Sequence, residues 1–362
     1  MYSEFFRSRG HQYRAAFALM LSLITAACGA DSGRDPNMAR GSQTGGSEVN
    51  VYSHRHYEID RQLFDRFTQE TGVRVNVVSA SADELITRLR TEGASSPADV
   101  LVTVDAGRLH RAKELGLLQP IESEVLEQNI PERYRDPEGY WYGLTMRARV
   151  LVYSRERVNP DEIPTYESLA EPQWRGRVLV RSSENVYNQS QLASMIAASG
   201  EDAALRWAEG VARNLARAPS GGDTDQVKAI AAGVGDVAIA NIYYVAKLAE
   251  SSDPEEQRVY RQLGVVFPNQ SDRGTHVNVS GAGVTAHAPN RDNALRLIEF
   301  LADDEAQRLW AEGNQEYPVK PGVPRSRVLQ SWGDFRSDSL GLARLGELNT
   351  QAVMLFDRAR WR

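Results

Sequence analysis

The chain reads as an α/β protein of two domains joined by two crossing segments, and three observations predict this. From Val49 onward short apolar runs alternate with amphipathic helices. Two long strand-like runs, Trp141 to Ser154 and His276 to Ala286, bracket a middle block with its own strands and helices. With the N-terminal segment set aside, about 310 residues remain, enough for two domains of ordinary size with a cleft between them.

The first domain opens with a strand at Val49–Tyr52. A helix follows from Ile59 to Glu70, with Leu63, Phe64 and Phe67 on one face and Gly72 as its stop. Val73–Val78 is the next strand, and Ser81 caps a helix that runs to Glu92. Pro97-Ala98-Asp99 introduces the strand Val100–Val104, and the helix Ala106–Leu115 ends at Gly116. This βαβαβα order predicts a parallel sheet covered on both faces, with ligand sites beyond the carboxyl ends of its strands. After the long run to Ser154, the middle block holds a strand at Val178–Val180, helices at Gln189–Ala198, Ala203–Ala216 and Gln226–Ala232, and strands at Val237–Ala240 and Gly264–Pro268. Helices at Ala294–Leu301 and Glu305–Glu312 follow the second long run. The chain is expected to leave the first domain near Arg147 and return near Asn278, so that residues 49–147 and 279–362 form one domain and 148–278 the other.

The N-terminal thirty residues read as an address. Arg7, Arg9 and Arg14 precede an apolar run from Ala15 to Ala27, which is too short to span a bilayer as a helix. It ends Thr25-Ala26-Ala27-Cys28, which resembles a lipobox, so residues 1–28 are expected to be a lipoprotein signal and Cys28 the lipidated site. Residues 29–48, rich in Gly and Ser and without apolar periodicity, read as a flexible tether. Cys28 is the only cysteine, which excludes structural disulfides and a thiolate metal site. The formal net charge is −6; loss of residues 1–28, with three arginines and one glutamate, takes it to −8. An acidic chain without a basic run argues against nucleic acid as a partner.

Four features fall at the ends of predicted strands or the starts of the following helices: His54-Arg55-His56-Tyr57, Asn185-Val186-Tyr187-Asn188, Asn241-Ile242-Tyr243-Tyr244, and Arg147 in the first long run. Tyrosine clusters at loop positions suggest a hard, highly charged cation, since Fe(III) prefers anionic oxygen and phenolate is a strong oxygen donor. A free phenol has a pKa near ~10, so binding must release protons. Four phenolates around a trivalent ion leave one negative charge in excess, which the Arg147 guanidinium is placed to neutralise. Each residue alone has a plainer reading: Tyr-Tyr pairs pack, lone histidines hydrogen-bond in loops, and a strand arginine pairs with an acid. Another class also remains open at this point. His54-x-His56 at a strand end has the form used for zinc in metal-dependent hydrolases. Such a site needs more histidines from later strands, for which His110, His276 and His287 are available, and the chain lacks eight βα units in series. Neither G-x-S-x-G nor H-E-x-x-H occurs.

The stretch Val51-Tyr-Ser-His-Arg-His-Tyr57 with Ala82-Asp-Glu-Leu-Ile86 resembles the opening of the ferric-ion-binding proteins of the periplasmic binding-protein superfamily. The resemblance continues through Ser96 to Gly107, Ser182 to Asn188, Ala240 to Tyr244, His276 to Gly283 and Asn314-Gln-Glu-Tyr-Pro-Val319. It implies a type II periplasmic-binding-protein fold with two interdomain crossovers, Fe(III) as the transported ligand, no catalysis, and delivery by a monomer to an ABC-type iron permease. It also implies Tyr57, Tyr187, Tyr243 and Tyr244 as ligands, His56 as a ligand or a close neighbour of one, and Arg147 as the balancing charge. His54 departs from the family, where a small residue is usual. Members differ in whether a bound anion completes the site; here Ser182 and Ser183, ahead of a helix, offer a place for one. A protein of the same fold for another solute, such as a sugar or polyamine, would be expected to show carboxylates and stacking tryptophans where this cleft shows tyrosines.

Overall fold

The computed structural model describes residues 47–362; the expected signal, Cys28 and the tether up to residue 46 lie outside the described residues. The first half runs β1 (Glu48–Ser53), α1 (Glu58–Thr71), β2 (Arg74–Ser79), α2 (Ala82–Glu92), β3 (Val100–Thr103) and α3 (Ala106–Glu114). Local chemistry sets these limits. α1 buries Ile59, Leu63, Phe64 and Phe67, and stops at Gly72, whose φ of 72° is left-handed and whose N–H bonds the Thr68 carbonyl. Ser81 and Glu84 form a reciprocal capping box at the head of α2, and the Asp105 carboxylate caps α3 through the Arg108 N–H.

After α4 (Glu124–Asn129) comes the thirteen-residue strand β4 (Tyr142–Ser154), buried along nearly all its length. The second half then adds β5 (Val178–Leu179), α5 (Val186–Ser199), α6 (Glu201–Arg213), α7 (Asp223–Ala231), β6 (Val237–Asn241), α8 (Ile242–Glu250), α9 (Pro254–Arg261) and β7 (Leu263–Val266). The chain returns through β8 (Val277–Val284), α10 (Arg291–Leu301), α11 (Asp304–Asn314) and β9 (Tyr317–Pro318), and ends in α12 (Arg327–Ser331), α13 (Ala343–Glu347) and α14 (Asn349–Ala359).

The strands order as β2-β1-β3-β8-β4-β6-β5, with β7 and β9 also on β4. The pairs β1–β2, β1–β3 and β5–β6 are parallel, as the alternating pattern predicts. Those made by β4 and β8 are antiparallel, so the sheet is mixed rather than parallel. The physical reason is the double crossing: a strand that leaves the first half and one that comes back must run in opposite directions. Arg147 and Asn278, the expected points of exit and return, face each other in register. Between Ala148 and Arg149, β4 changes partners, from β8 and β9 to β6 and β7.

Sequence periodicity places the start of α5 at Gln189 and of α7 at Gln226; both helices begin three residues earlier, where the Asn185 side chain caps the Tyr187 N–H and Asp223 enters the first turn. The C-terminal helix α14 packs on α5 and α6, and the Trp361 ring lies 5.6 Å from that of Trp207. α13 meets α3 backbone to backbone: a Cβ on Gly346 would stand 2.7 Å from the Gly107 carbonyl.

The point where β4 and β8 separate is closed by a side chain. Arg149 N–H donates to the His276 carbonyl, and the buried Tyr166 hydroxyl donates to the Arg149 carbonyl while accepting from His276 N–H. Tyr166→Phe leaves these buried backbone groups unpaired and is expected to cost about 1–3 kcal/mol of stability. Urea denaturation of the two proteins measures this, and an unchanged midpoint at equal slope would refute it.

Candidate metal centre

The strand-end segments converge. Tyr57 stands between β1 and α1, Tyr187 in the first turn of α5, and Tyr243 and Tyr244 in the first turn of α8, directly after β6. The hydroxyls of Tyr57 and Tyr243 are 3.1 Å apart, and Tyr243 donates to Tyr187 at 3.2 Å. The Tyr244 ring lies 4.3 Å from that of Tyr243, and the exposed His56 ring stacks on Tyr57 at 5.0 Å. Burial raises the Tyr57 hydroxyl well above a free phenol's pKa, with Tyr187 and Tyr244 adding to it. Burial and the neighbouring phenols do the same at Tyr243, and burial with Tyr187 at Tyr244. The phenols of Tyr57, Tyr243 and Tyr244 are therefore held neutral.

Cations ring this group. The buried Arg147 guanidinium is 5.0 Å from the Tyr187 ring centroid, Arg181 is 5.5 Å and Arg149 5.8 Å. Arg147 has no hydrogen bond on either terminal nitrogen; its nearest acid is Asp105 at 3.8 Å. Lys247 Nζ lies 4.4 Å from the Tyr57 ring and 5.5 Å from that of Tyr243, and burial draws its ammonium below the ordinary lysine value. His54 is half-buried, with a partnerless Nδ1; burial takes its pKa down to about 4 against the pull of Asp105. The Ser182 hydroxyl accepts from the Glu184 N–H of its own turn.

Several contributors escaped the sequence reading. Arg149 lies two residues after Arg147 on a buried strand, a spacing that puts both on one face. It donates to Asn188 and Asp223, and the same Asp223 oxygen accepts the Asn241 N–H, so one buried guanidinium and one carboxylate brace the starts of α5 and α8. On the other side of the phenols, Arg55 pairs with Asp60 and Glu316.

Among the described residues no group of three or more His, Cys, Asp or Glu is disposed to hold a metal. The His54-x-His56 pair thus lacks the further ligands that a hydrolytic zinc site requires. What the arrangement offers a cation is phenol oxygen, held beside guanidinium.

Residues 95–330 match the family of bacterial extracellular solute-binding proteins, and the chain belongs to it. Within that class it falls with the ferric-ion-binding proteins of the two-domain type II fold. It is 50% identical over 315 residues to iron uptake protein A1 of Synechocystis sp., covering 87% of this chain and 88% of that one. A Trichodesmium protein solved with iron and citrate ligands superposes with a TM-score of 0.82 at 50% identity, over 87% of this chain and 100% of the other. The ferric binding protein of Campylobacter jejuni superposes at 0.84 with 38% identity, over 87% and 100%.

Beside the phenols, His276 lines a small cavity with Arg147, Arg149, Tyr187, Asn241 and Asn278. Burial, and then the guanidiniums of Arg147, Arg149 and Arg273, lower its pKa from 6.5 to about 3. Below pH 6.5 the unfolded chain takes up a proton that the folded chain refuses, so stability present above that pH is lost as pH falls toward 3. Between pH 6.5 and pH 5 the loss from this residue is expected to be about 2 kcal/mol. Denaturation of the wild type and His276→Gln at both pH values tests this: the variant loses less by that amount, and parallel losses would refute it.

Proposed function

We propose that the protein binds Fe(III) through the phenolates of Tyr57, Tyr187, Tyr243 and Tyr244, with His56 beside them, and delivers the ion to an ABC-type iron permease. The observation that carries the reading is the chain of hydroxyls at 3.1 and 3.2 Å, supplied by three separate elements and flanked by Arg147. Binding exchanges phenolic protons for the metal, because burial keeps the phenols of Tyr57, Tyr243 and Tyr244 neutral until a cation is present. Four phenolates and a trivalent ion carry one net negative charge, and Arg147 balances it. Its unpaired nitrogens, with Arg181 nearby, also suit a small anion as a further component; citrate accompanies iron in the Trichodesmium relative. The relatives named above are iron-uptake and iron-binding proteins, and we read this chain likewise as a monomeric carrier without catalysis, tethered to the membrane through lipidated Cys28.

Loaded protein is expected to show a visible phenolate-to-iron charge-transfer band that fades with a strong chelator and as pH falls. Tyr57→Phe, Tyr187→Phe, Tyr243→Phe and Tyr244→Phe are each expected to weaken iron binding roughly a hundredfold or more, beyond the usual loss for a supporting residue. His56→Ala acts more mildly, and His54→Ala leaves affinity nearly intact. Colourless protein with stoichiometric zinc, or four phenylalanine variants that bind iron normally, would overturn the assignment.

We place the division between lobes where β4 changes partners, with residues 49–147 and the returning chain from 279 in the first and 148–278 in the second; α14 goes with the second, on which it packs. Tyr57 is then the only one of the four proposed ligands from the first lobe, and only a closed cleft brings it to an ion held by the other three. Small-angle scattering is expected to give a smaller radius of gyration with saturating Fe(III) than without, a change lost in Tyr57→Phe. Superimposable curves for the wild type would count against closure.

A further inference from the structure

Arg55 lies inside the His54–Tyr57 segment, and Glu316 inside the Asn314–Val319 segment, yet neither is among the proposed ligands. The fold brings them together across 261 positions of sequence. Arg55 is 4% exposed and Glu316 2%. The guanidinium grips the Glu316 carboxylate with two bonds, at 3.1 and 2.8 Å, while its Nε donates to Asp60 at 3.0 Å. It also donates to Ser280 at 2.8 Å and Thr145 at 3.4 Å, on the two crossing strands β8 and β4. Asn314 and Thr145 donate to Glu316 as well. Burial acts against the Glu316 charge, but Arg55 beside it holds the pKa down to about 2. Gln315, which aims Glu316 inward, sits at φ 59°, a left-handed conformation unusual for a residue other than glycine.

Burying a guanidinium with two carboxylates is a poor way to gain stability, since desolvation offsets most of the attraction. What the cluster does is fix Tyr57. The second Asp60 oxygen accepts the Tyr57 N–H at 3.2 Å, and the first also accepts Trp310 Nε1–H at 2.8 Å. The guanidinium lies between two rings, 5.1 Å from that of Tyr57 and 5.3 Å from that of Trp310. The other phenols stand in the first turns of helices; Tyr57 precedes its helix, and both its backbone and its ring touch this cluster.

We propose that Arg55, Asp60 and Glu316 are positioning residues for iron binding: they hold Tyr57 at a fixed place relative to the crossing strands and so set affinity through that one phenolate. The proposal rests on the ferric reading above. It is tested on the full chain by a double-mutant cycle of Glu316→Gln and Tyr57→Phe, read by Fe(III) affinity in competition with citrate and by the charge-transfer maximum. Glu316→Gln is expected to weaken iron binding about 10–100-fold and to shift the band toward that of Tyr57→Phe. In the Tyr57→Phe background the same change is expected to cost less than about twofold. If Glu316→Gln does not fold, Asp60→Asn takes its place: with its oxygen kept on Arg55 and Trp310, it replaces the acceptor for the Tyr57 N–H by an amide donor and neutralises one of the two carboxylates on Arg55. Equal losses in both backgrounds, or lower thermal stability with band and affinity unchanged, would make the cluster purely structural and overturn the proposal. Wild-type protein that takes up no iron would overturn the ferric reading itself, and the proposal with it.

Discussion

A phenol buried among other phenols keeps its proton until a cation stands in its place, and the organisation around Tyr57, Tyr187, Tyr243 and Tyr244 follows from that constraint. Hydrogen bonds between the hydroxyls satisfy it within the cluster. With the proposed ion bound, positive charge satisfies it, and three guanidiniums already face the Tyr187 ring. A carboxylate cage would be ionised at neutral pH whether or not metal was present, and would attract any divalent ion. Neutral phenols ask for a metal acidic enough to displace protons, which favours Fe(III) over weaker Lewis acids.

Holding four such side chains in place demands rigid supports. In the second half these are helix starts braced by Arg149 and Asp223, which reach Asn188 beside Tyr187 and Asn241 ahead of Tyr243. In the first half the support is the Arg55 cluster. Each half thus places a buried arginine next to what it supplies of the four tyrosines, Arg55 bonded to two carboxylates and Arg149 to one. The long strand β4 connects the two systems: Thr145 touches the first, and Arg149 belongs to the second.

Much of this was legible in the sequence because local chemistry carried it. Gly72 ends its helix by its backbone freedom, Ser81 and Glu84 cap theirs, and the tyrosine clusters show themselves as strand-end motifs. The two long runs that bracket the middle block were legible as strands, and they meet in register. The rest depended on contacts between distant positions. Nothing near Arg55 points to Glu316, and nothing near Arg149 points to Asp223, whose place in the first turn of α7 has no side-chain signal at the Gly222 cap. The antiparallel return strands and the seat of α14 on α5 and α6 are likewise set by packing of the whole chain rather than by any window of it.

Arg147 has one more consequence, which comes from its address on β4 rather than from its neighbours. It faces Asn278 where the two long strands β4 and β8 run side by side. Any swing of one half against the other turns about such strands, and a group near the pivot has a short lever arm. In the closure proposed above, Tyr57 has the long arm and the Arg147 charge the short one. On that proposal the electrostatic field for an incoming ion is in place before the lobes move, and the movement has only to bring the last oxygen.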